Sequence, residues 1–231
     1  MPIQQMLLGT SSAVATKTYV DDIFSTFLYA GNSTSQSINN GIDLAGKGGM
    51  VWAKRRSGSQ NHILADTVRG ITKYLNPNNA AAEVTDQERF LSVSSTGFAV
   101  GDEVDTNGSG STYASWTLRK APGFFDIVTY TGNDTNRTIA HSLGCVPGMI
   151  FIKNLTDAED WVVYHRDLTA THYVMLQSTS AQNDDNYMFN DTEPTASVFS
   201  LGTEDKVNKN GSSYVAYVFA GGESTAATAR S

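Results

Sequence analysis

The chain has a single cysteine, Cys145, in 231 residues. An internal disulfide is therefore excluded, and a cysteine-based zinc site has no partners to draw on. Basic residues are also few. Lys and Arg number 16 against 23 Asp and Glu, a net charge of −7, which argues against a basic nucleic-acid surface. The longest basic run, Lys54-Arg55-Arg56, is too short to track a phosphate backbone. No apolar run approaches the ~20 residues of a membrane span, so membrane insertion is not expected. The opening "MPIQQMLLGTSSAV" has no positive n-region and does not read as a signal peptide. Without an export signal, the Asn-x-Ser/Thr triplets at Asn32, Asn133, Asn136 and Asn154 read as composition rather than glycosylation sites. A hydrophobic content of 40% with 17% charged residues excludes wholesale disorder.

What the chain does have is a copy of itself. "GSTYASWTLRKA" from Gly110 and "GSSYVAYVFAGG" from Gly211 place Tyr113 and Tyr214 101 positions apart. Tyr29, Gly31, Asn32 and Ile38 recur at the same offset as Tyr130, Gly132, Asn133 and Ile139. Gly49, Met50, Lys54 and Tyr74 recur at an offset of 99, as Gly148, Met149, Lys153 and Tyr173. Phe98 and Gly101 return to 101, as Phe199 and Gly202. Order and register survive throughout. The chain is a tandem duplication, roughly 24–121 and 125–222, with a two-residue deletion before Gly148 and a compensating insertion after Tyr173. A unit of that size is a small domain, too long for a solenoid repeat.

Each copy reads as short strands rich in aromatic and branched residues, separated by Gly, Asn, Ser and Asp clusters. The first gives "FSTFLYAG", "GGMVWAKRR", "NHILADTV", "RFLSVSS", "GFAVG" and "STYASWTL"; the second gives "FDIVTYTG", "GMIFIKN", "WVVYHRD", "YVMLQST", "SVFSLG" and "SYVAYVFA". The pattern predicts an all-β protein: two tandem β-sandwich-like domains of about a hundred residues each. The expected division is an N-terminal docking arm over 1–24, one repeat over 25–121, a second over 122–222 and a polar tail or linker over 223–231. In the last strands, alternation sets Ala114, Trp116 and Leu118, matched by Val215, Tyr217 and Phe219, on the expected core side, with Tyr113 and Tyr214 opposite. A short helix is expected after Thr16 or Thr18. "TVRGITKYLNPNNAAAEVTDQER" reads as a long loop or a helical turn near Ala80.

Several motifs invite chemistry. His165 stands near Asp167, and His62 near Asp66 on the equivalent strand, but neighbouring strand residues face opposite ways and no Gly-x-Ser-x-Gly elbow is present. The acidic stretch Asp102, Glu103, Asp105, Asn107 resembles part of a calcium loop without its bidentate Glu, and Asp184-Asp185 forms a second cluster; both read as turns. "LAGKGGM" departs from phosphate-loop spacing. No catalytic, cofactor-binding or metal residue is assigned, and no enzyme activity is expected. Tyr29, Trp52 and Trp161 are candidate glycan contacts through their ring faces, against the alternative of core packing. Met6-Leu7-Leu8 is a compact apolar patch among uncharged residues, suited to docking on a partner.

Taken together, "TKTYVDDIFSTFLYAGN", "INNGIDLAGKGGMVWAK", "DTVRGITKYL", "SWTLRKAPGFFDIVTYTGN", "IAHSLGCVPGMIFIK", "WVVYHRDL" and "YVAYVFAGG" resemble a repeated, uncharacterised domain of virion structural proteins from tailed phages of marine bacteria. The resemblance covers roughly residues 1–222. It implies a non-enzymatic tail fibre or tail appendage component, assembled in the bacterial cytoplasm and located in the virion. Its expected partners are other virion proteins, its own copies (a trimer favoured) and a host surface glycan. A head fibre, a capsid decoration protein and a carbohydrate-binding module are the alternatives, and a depolymerase is the enzymatic one. Relatives typically continue into another domain after the point where this sequence stops.

Overall fold

A computed structural model describes residues 18–222. The arm with Met6, Leu7 and Leu8, and the tail from 223, lie outside the described residues. The protein is all-β, built of antiparallel sheets with a few single-turn helices.

The first copy runs β1 (Phe24–Ala30), β2 (Gln36–Asn39), β3 (Gly49–Arg55), β4 (Ile63–Asp66), β5 (Lys73–Leu75), β6 (Val84–Thr85), β7 (Phe90–Ser94), β8 (Gly97–Val100) and β9 (Thr112–Arg119). The second runs β10 (Phe125–Thr131), β11 (Arg137–Ala140), β12 (Pro147–Asn154), β13 (Val162–His165), β14 (His172–Met175), β15 (Asn183–Asp184), β16 (Val198–Leu201) and β17 (Ser213–Ala220). One six-stranded sheet has the order β1-β9-β3-β4-β5-β6, and the other has β10-β17-β12-β13-β14-β15. These orders are the same once the copies are aligned. Each large sheet is covered by a small one, β2-β8-β7 in the first copy and β11-β16 in the second.

The expected assignment of one buried face to the last strand of each copy needs correction. Tyr214, Ala216 and Val218 of β17 pack into the core beneath the small sheet, while Val215 and Tyr217 pack into another on the opposite face. Three hydrophobic clusters result rather than two. One lies inside each copy, and the middle one mixes Met50, Leu64, Leu75 and Leu118 with Phe125, Ile127, Phe151 and Trp161. The faces of the two large sheets are thus pressed together, giving four layers. A strand covered on both sides reads as a continuous apolar run, which is what "YVAYVFA" is. Trp116 and Phe219 are half-buried at the margin of this middle core.

The shifts in repeat offset have local causes. The first copy inserts a helical turn, Leu44–Lys47, capped by the Asp43 carboxylate accepting from the Gly46 amide at 2.8 Å. The second copy reaches β12 without it. Later, Phe90 on β7 and Phe189 on the turn Asn186–Phe189 fill matching core positions at the 99 offset. The compensating residues follow Phe189, where Asn190 and Asp191 adopt positive φ of 52° and 44°. The N-terminal helix is a single turn, Val20–Ile23, capped at Tyr19 instead of at Thr16 or Thr18. The stretch expected as a long loop or a helical turn near Ala80 is loop over 76–83, without a helix, and is flanked by the short strands β5 and β6.

Candidate functional site

The residues most faithfully repeated hold each copy shut. Tyr29 lies opposite Tyr113 on the β1–β9 pair and Tyr130 opposite Tyr214 on the β10–β17 pair. Both pairs stack at 5.1 Å between ring centroids. The Tyr29 hydroxyl donates to the Thr106 carbonyl at 2.7 Å, and Tyr130 repeats this on Val207 at 2.8 Å. The Tyr113 hydroxyl accepts from the Gly108 amide and donates to the Val104 carbonyl. Tyr214 does the same with Lys209 and Asp205.

Beside each pair sits a fully buried asparagine. Asn107 accepts from the Asn32 amide at 3.0 Å and donates to the carbonyls of Thr34 and Gly101. Asn208 accepts from Asn133 at 3.1 Å and donates to Thr135 and Gly202 at 2.7 Å each. These side chains tie the turn after the first strand to the turn before the last. Gly31 and Gly132 must be glycine because a Cβ there would meet the Gly108 or Lys209 carbonyl oxygen at 2.3 or 2.1 Å.

This geometry settles most of the sequence candidates. One face of the Tyr29 ring is stacked on Tyr113 and the residue is half-buried, its hydroxyl spent on the Thr106 carbonyl. Trp161 is removed as a glycan contact: it is 0% exposed, stacked 6.3 Å from Tyr217, with its indole N–H donating to the Asn76 carbonyl at 3.1 Å. Packing of the two large sheets covers it, an arrangement that strand alternation in one copy does not reveal. Within the acidic stretch, Asp105 pairs with Arg89 at 2.9 Å and Asn107 turns inward. Among the described residues, no group of three or more His, Cys, Asp and Glu is arranged to hold a metal. His165 and Asp167 stay on the surface, their side chains 3.9 Å apart. His62 and Asp66 part company, each engaged with a different partner.

Asp66 belongs to a buried network between the copies. It is 0% exposed, and Arg69 is 2% exposed at the side chain. The Arg69 guanidinium donates to Asp66 at 2.6 Å, to Glu83 at 2.8 Å and to the Tyr217 hydroxyl at 3.1 Å. Tyr217 donates onward to Asp66 at 2.7 Å. Burial holds the Tyr217 hydroxyl well above its usual range. At the repeat offsets, Arg69 faces Leu168 and Tyr217 faces Trp116. The network therefore exists once per chain and joins the copies. The Glu83 amide also donates across to the Leu155 carbonyl at 3.1 Å. Above the network opens a polar cleft of about 530 Å³ bordered by Lys73, Glu83, Thr129, Thr131, Thr156 and Ser213.

A second cleft between the copies, of about 330 Å³, is built around Trp52. His62, Pro77 and Asn78 line it from the first copy, and the segment 176–179 lines it from the second. The Trp52 indole N–H donates to His62 Nδ1 at 2.9 Å, which places the remaining imidazole proton on Nε2. Trp52 also packs edge-on against Trp116, 6.2 Å between centroids. Burial, and secondarily Lys54, lowers the His62 pKa and keeps the ring neutral. Of the three aromatic residues singled out from sequence, Trp52 is half-buried and borders this cleft.

The chain belongs to a family described as a domain of unknown function, DUF7483, which matches residues 20–226. Comparison with curated proteins and with solved structures finds no match.

Proposed function

We propose that this DUF7483 protein is a non-enzymatic structural component of a phage virion, a tail fibre or appendage part whose arm attaches it to the particle. The supporting observation is where the repeated residues act. They stack, cap and cross-link the fold within each copy, while the non-repeated Asp66, Arg69, Glu83 and Tyr217 fasten the copies into one stack. A duplicated module locked in this way suits a rigid spacer that transmits position rather than a catalyst. The likeness of the ordered motifs to virion structural proteins supplies the particle context. Edge strand β1 carries no charge, and its Leu28 is 57% exposed, which suits contact with further copies; a trimer is the proposed assembly.

The test is quantitative mass spectrometry of purified particles, with gold-labelled antibody to place the chain. Stoichiometric presence with label at the tail supports the reading, and label on the head moves it to a head fibre or decoration protein. Absence from particles, while the chain accumulates in infected cells, overturns it.

A further inference from the structure

We infer that the Trp52 cleft binds a single neutral pyranose ring. The two copies differ here in one consequential way. At the 99 offset, Trp52, His62, Pro77 and Asn78 correspond to Phe151, Trp161, Leu176 and Gln177. The backbone bonds that frame the position are the same: the His62 amide donates to the Asn78 side chain at 2.9 Å and the Trp161 amide to the Gln177 side chain at 3.1 Å. In the second copy the large indole of Trp161 is fully buried against Tyr217 and the Asn76 carbonyl. In the first, the smaller imidazole of His62 lines an open cleft beside the half-buried Trp52. The cavity is thus a product of divergence between otherwise matching frames.

Its chemistry selects the occupant. No Asp, Glu, Lys or Arg lines it, so it offers nothing to fix an ionic ligand. An indole face presents negative quadrupole to the slightly positive C–H groups of a sugar ring. Two polar groups of the lining suit ring hydroxyls, the His62 Nε2–H and the Thr179 hydroxyl, while Asn78 is bonded to the His62 amide and Asn61, and Ser178 to Ser180. A cleft of about 330 Å³ is at the small end of ligand sites, which run from about 300 Å³, and fits one ring rather than a chain. Because the walls come from both copies, the site exists only when the copies are joined. The inference does not depend on the virion reading, which is decided by particle composition.

Titration of the full chain with methyl α-D-glucopyranoside, methyl β-D-galactopyranoside and methyl N-acetyl-β-D-glucosaminide tests it. N-acetylneuraminic acid serves as the anionic control. The readout is the three indole N–H signals in a nitrogen-correlated NMR spectrum. At least one neutral sugar should shift the Trp52 signal saturably, with Kd of about 1 mM; in Trp52→Ala, which lacks that signal and is read by titration calorimetry instead, binding should weaken about tenfold. His62→Trp, which copies the filled arrangement, should abolish binding with the fold retained. Thr179→Trp at the exposed rim should do the same without touching the core. No saturable shift with any of the three sugars at about 100 mM overturns the proposal. So does unchanged affinity in folded His62→Trp and Thr179→Trp variants, or tighter binding of the acidic sugar.

Discussion

Replacing Arg69 with Met tests whether the two copies are energetically one body. The side chain is 2% exposed and supplies the cationic partner of Asp66, which is itself 0% exposed. After the substitution, Asp66 Oδ1 keeps the amides of Val68 and Arg69 at 2.9 Å, and Oδ2 keeps the Tyr217 hydroxyl. These are neutral donors, and the buried charge loses its counterion. Glu83 is less affected because Lys73 remains 3.2 Å from it. Removing one partner of a buried pair costs about 3–5 kcal/mol, a large share of the ~5–15 kcal/mol that holds a domain together. The double variant Asp66→Asn, Arg69→Met removes both charges and should recover much of that loss. Urea unfolding followed by far-UV circular dichroism reports both sheets, while tryptophan fluorescence reports the middle core, where Trp52, Trp116 and Trp161 all lie. The two signals should coincide in the unsubstituted protein and move together to lower urea in Arg69→Met. A loss below about 1 kcal/mol in Arg69→Met, or well-separated transitions in the unsubstituted chain, would refute the claim of a shared lock.

Further outcomes follow from the latches and buried charges. Asn107→Ala and Asn208→Ala each abolish a buried three-way bridge, and each should lower stability by about 2–4 kcal/mol in the same urea assay. Equal losses are expected because the geometry is repeated. Gly31→Ala and Gly132→Ala drive a Cβ against a carbonyl oxygen and should cost more than Gly110→Ala, where space is open and only the φ of +72° is strained. Thermal melting gives the ranking, and equal costs at all three would show that the close approaches relax freely. Burial lowers the Lys153 pKa to about 8, so the folded chain sheds that proton before the unfolded chain does. Stability should therefore rise as pH increases from about 8 toward the ordinary lysine range near 10.4, and Lys153→Met should flatten that rise. Measurements are best kept below about pH 9.5, because buried tyrosines with raised pKa values weaken folding once free tyrosine ionises.

Alternation and composition were enough to read the strands around Tyr29, Met50, Phe98 and Tyr113 and their second copies, because each segment carries two or more apolar residues at period two. β2, β5, β6, β11 and β15 escaped that reading. "QSIN" and "RTIA" each bury a single Ile, and a four-residue strand with one buried residue has no period to detect. The repeat offsets also marked which residues matter to each copy, since Tyr29, Gly31, Asn32 and Tyr113 all belong to the latch. What they did there was hidden. A tyrosine flanked by small polar residues looks the same whether it faces a ligand or stacks on another tyrosine across a hydrogen-bonded pair.

The sequence by itself determined the all-β class, the longer strands and the duplication, because these are properties of local pattern and of register along one chain. Tertiary structure decided which faces are buried, since each large sheet is covered on both sides and alternation alone cannot say how many layers will stack. It also decided the pairing of Arg69 with Tyr217, 148 positions apart, and the meeting of Trp52 with the segment 176–179. Those contacts arise where the two copies press together through faces whose side chains have diverged, as at Trp52 and Phe151 or Trp116 and Tyr217. The physical reason is that a contact between surfaces depends on shape and charge complementarity in space, and neither copy carries that information alone.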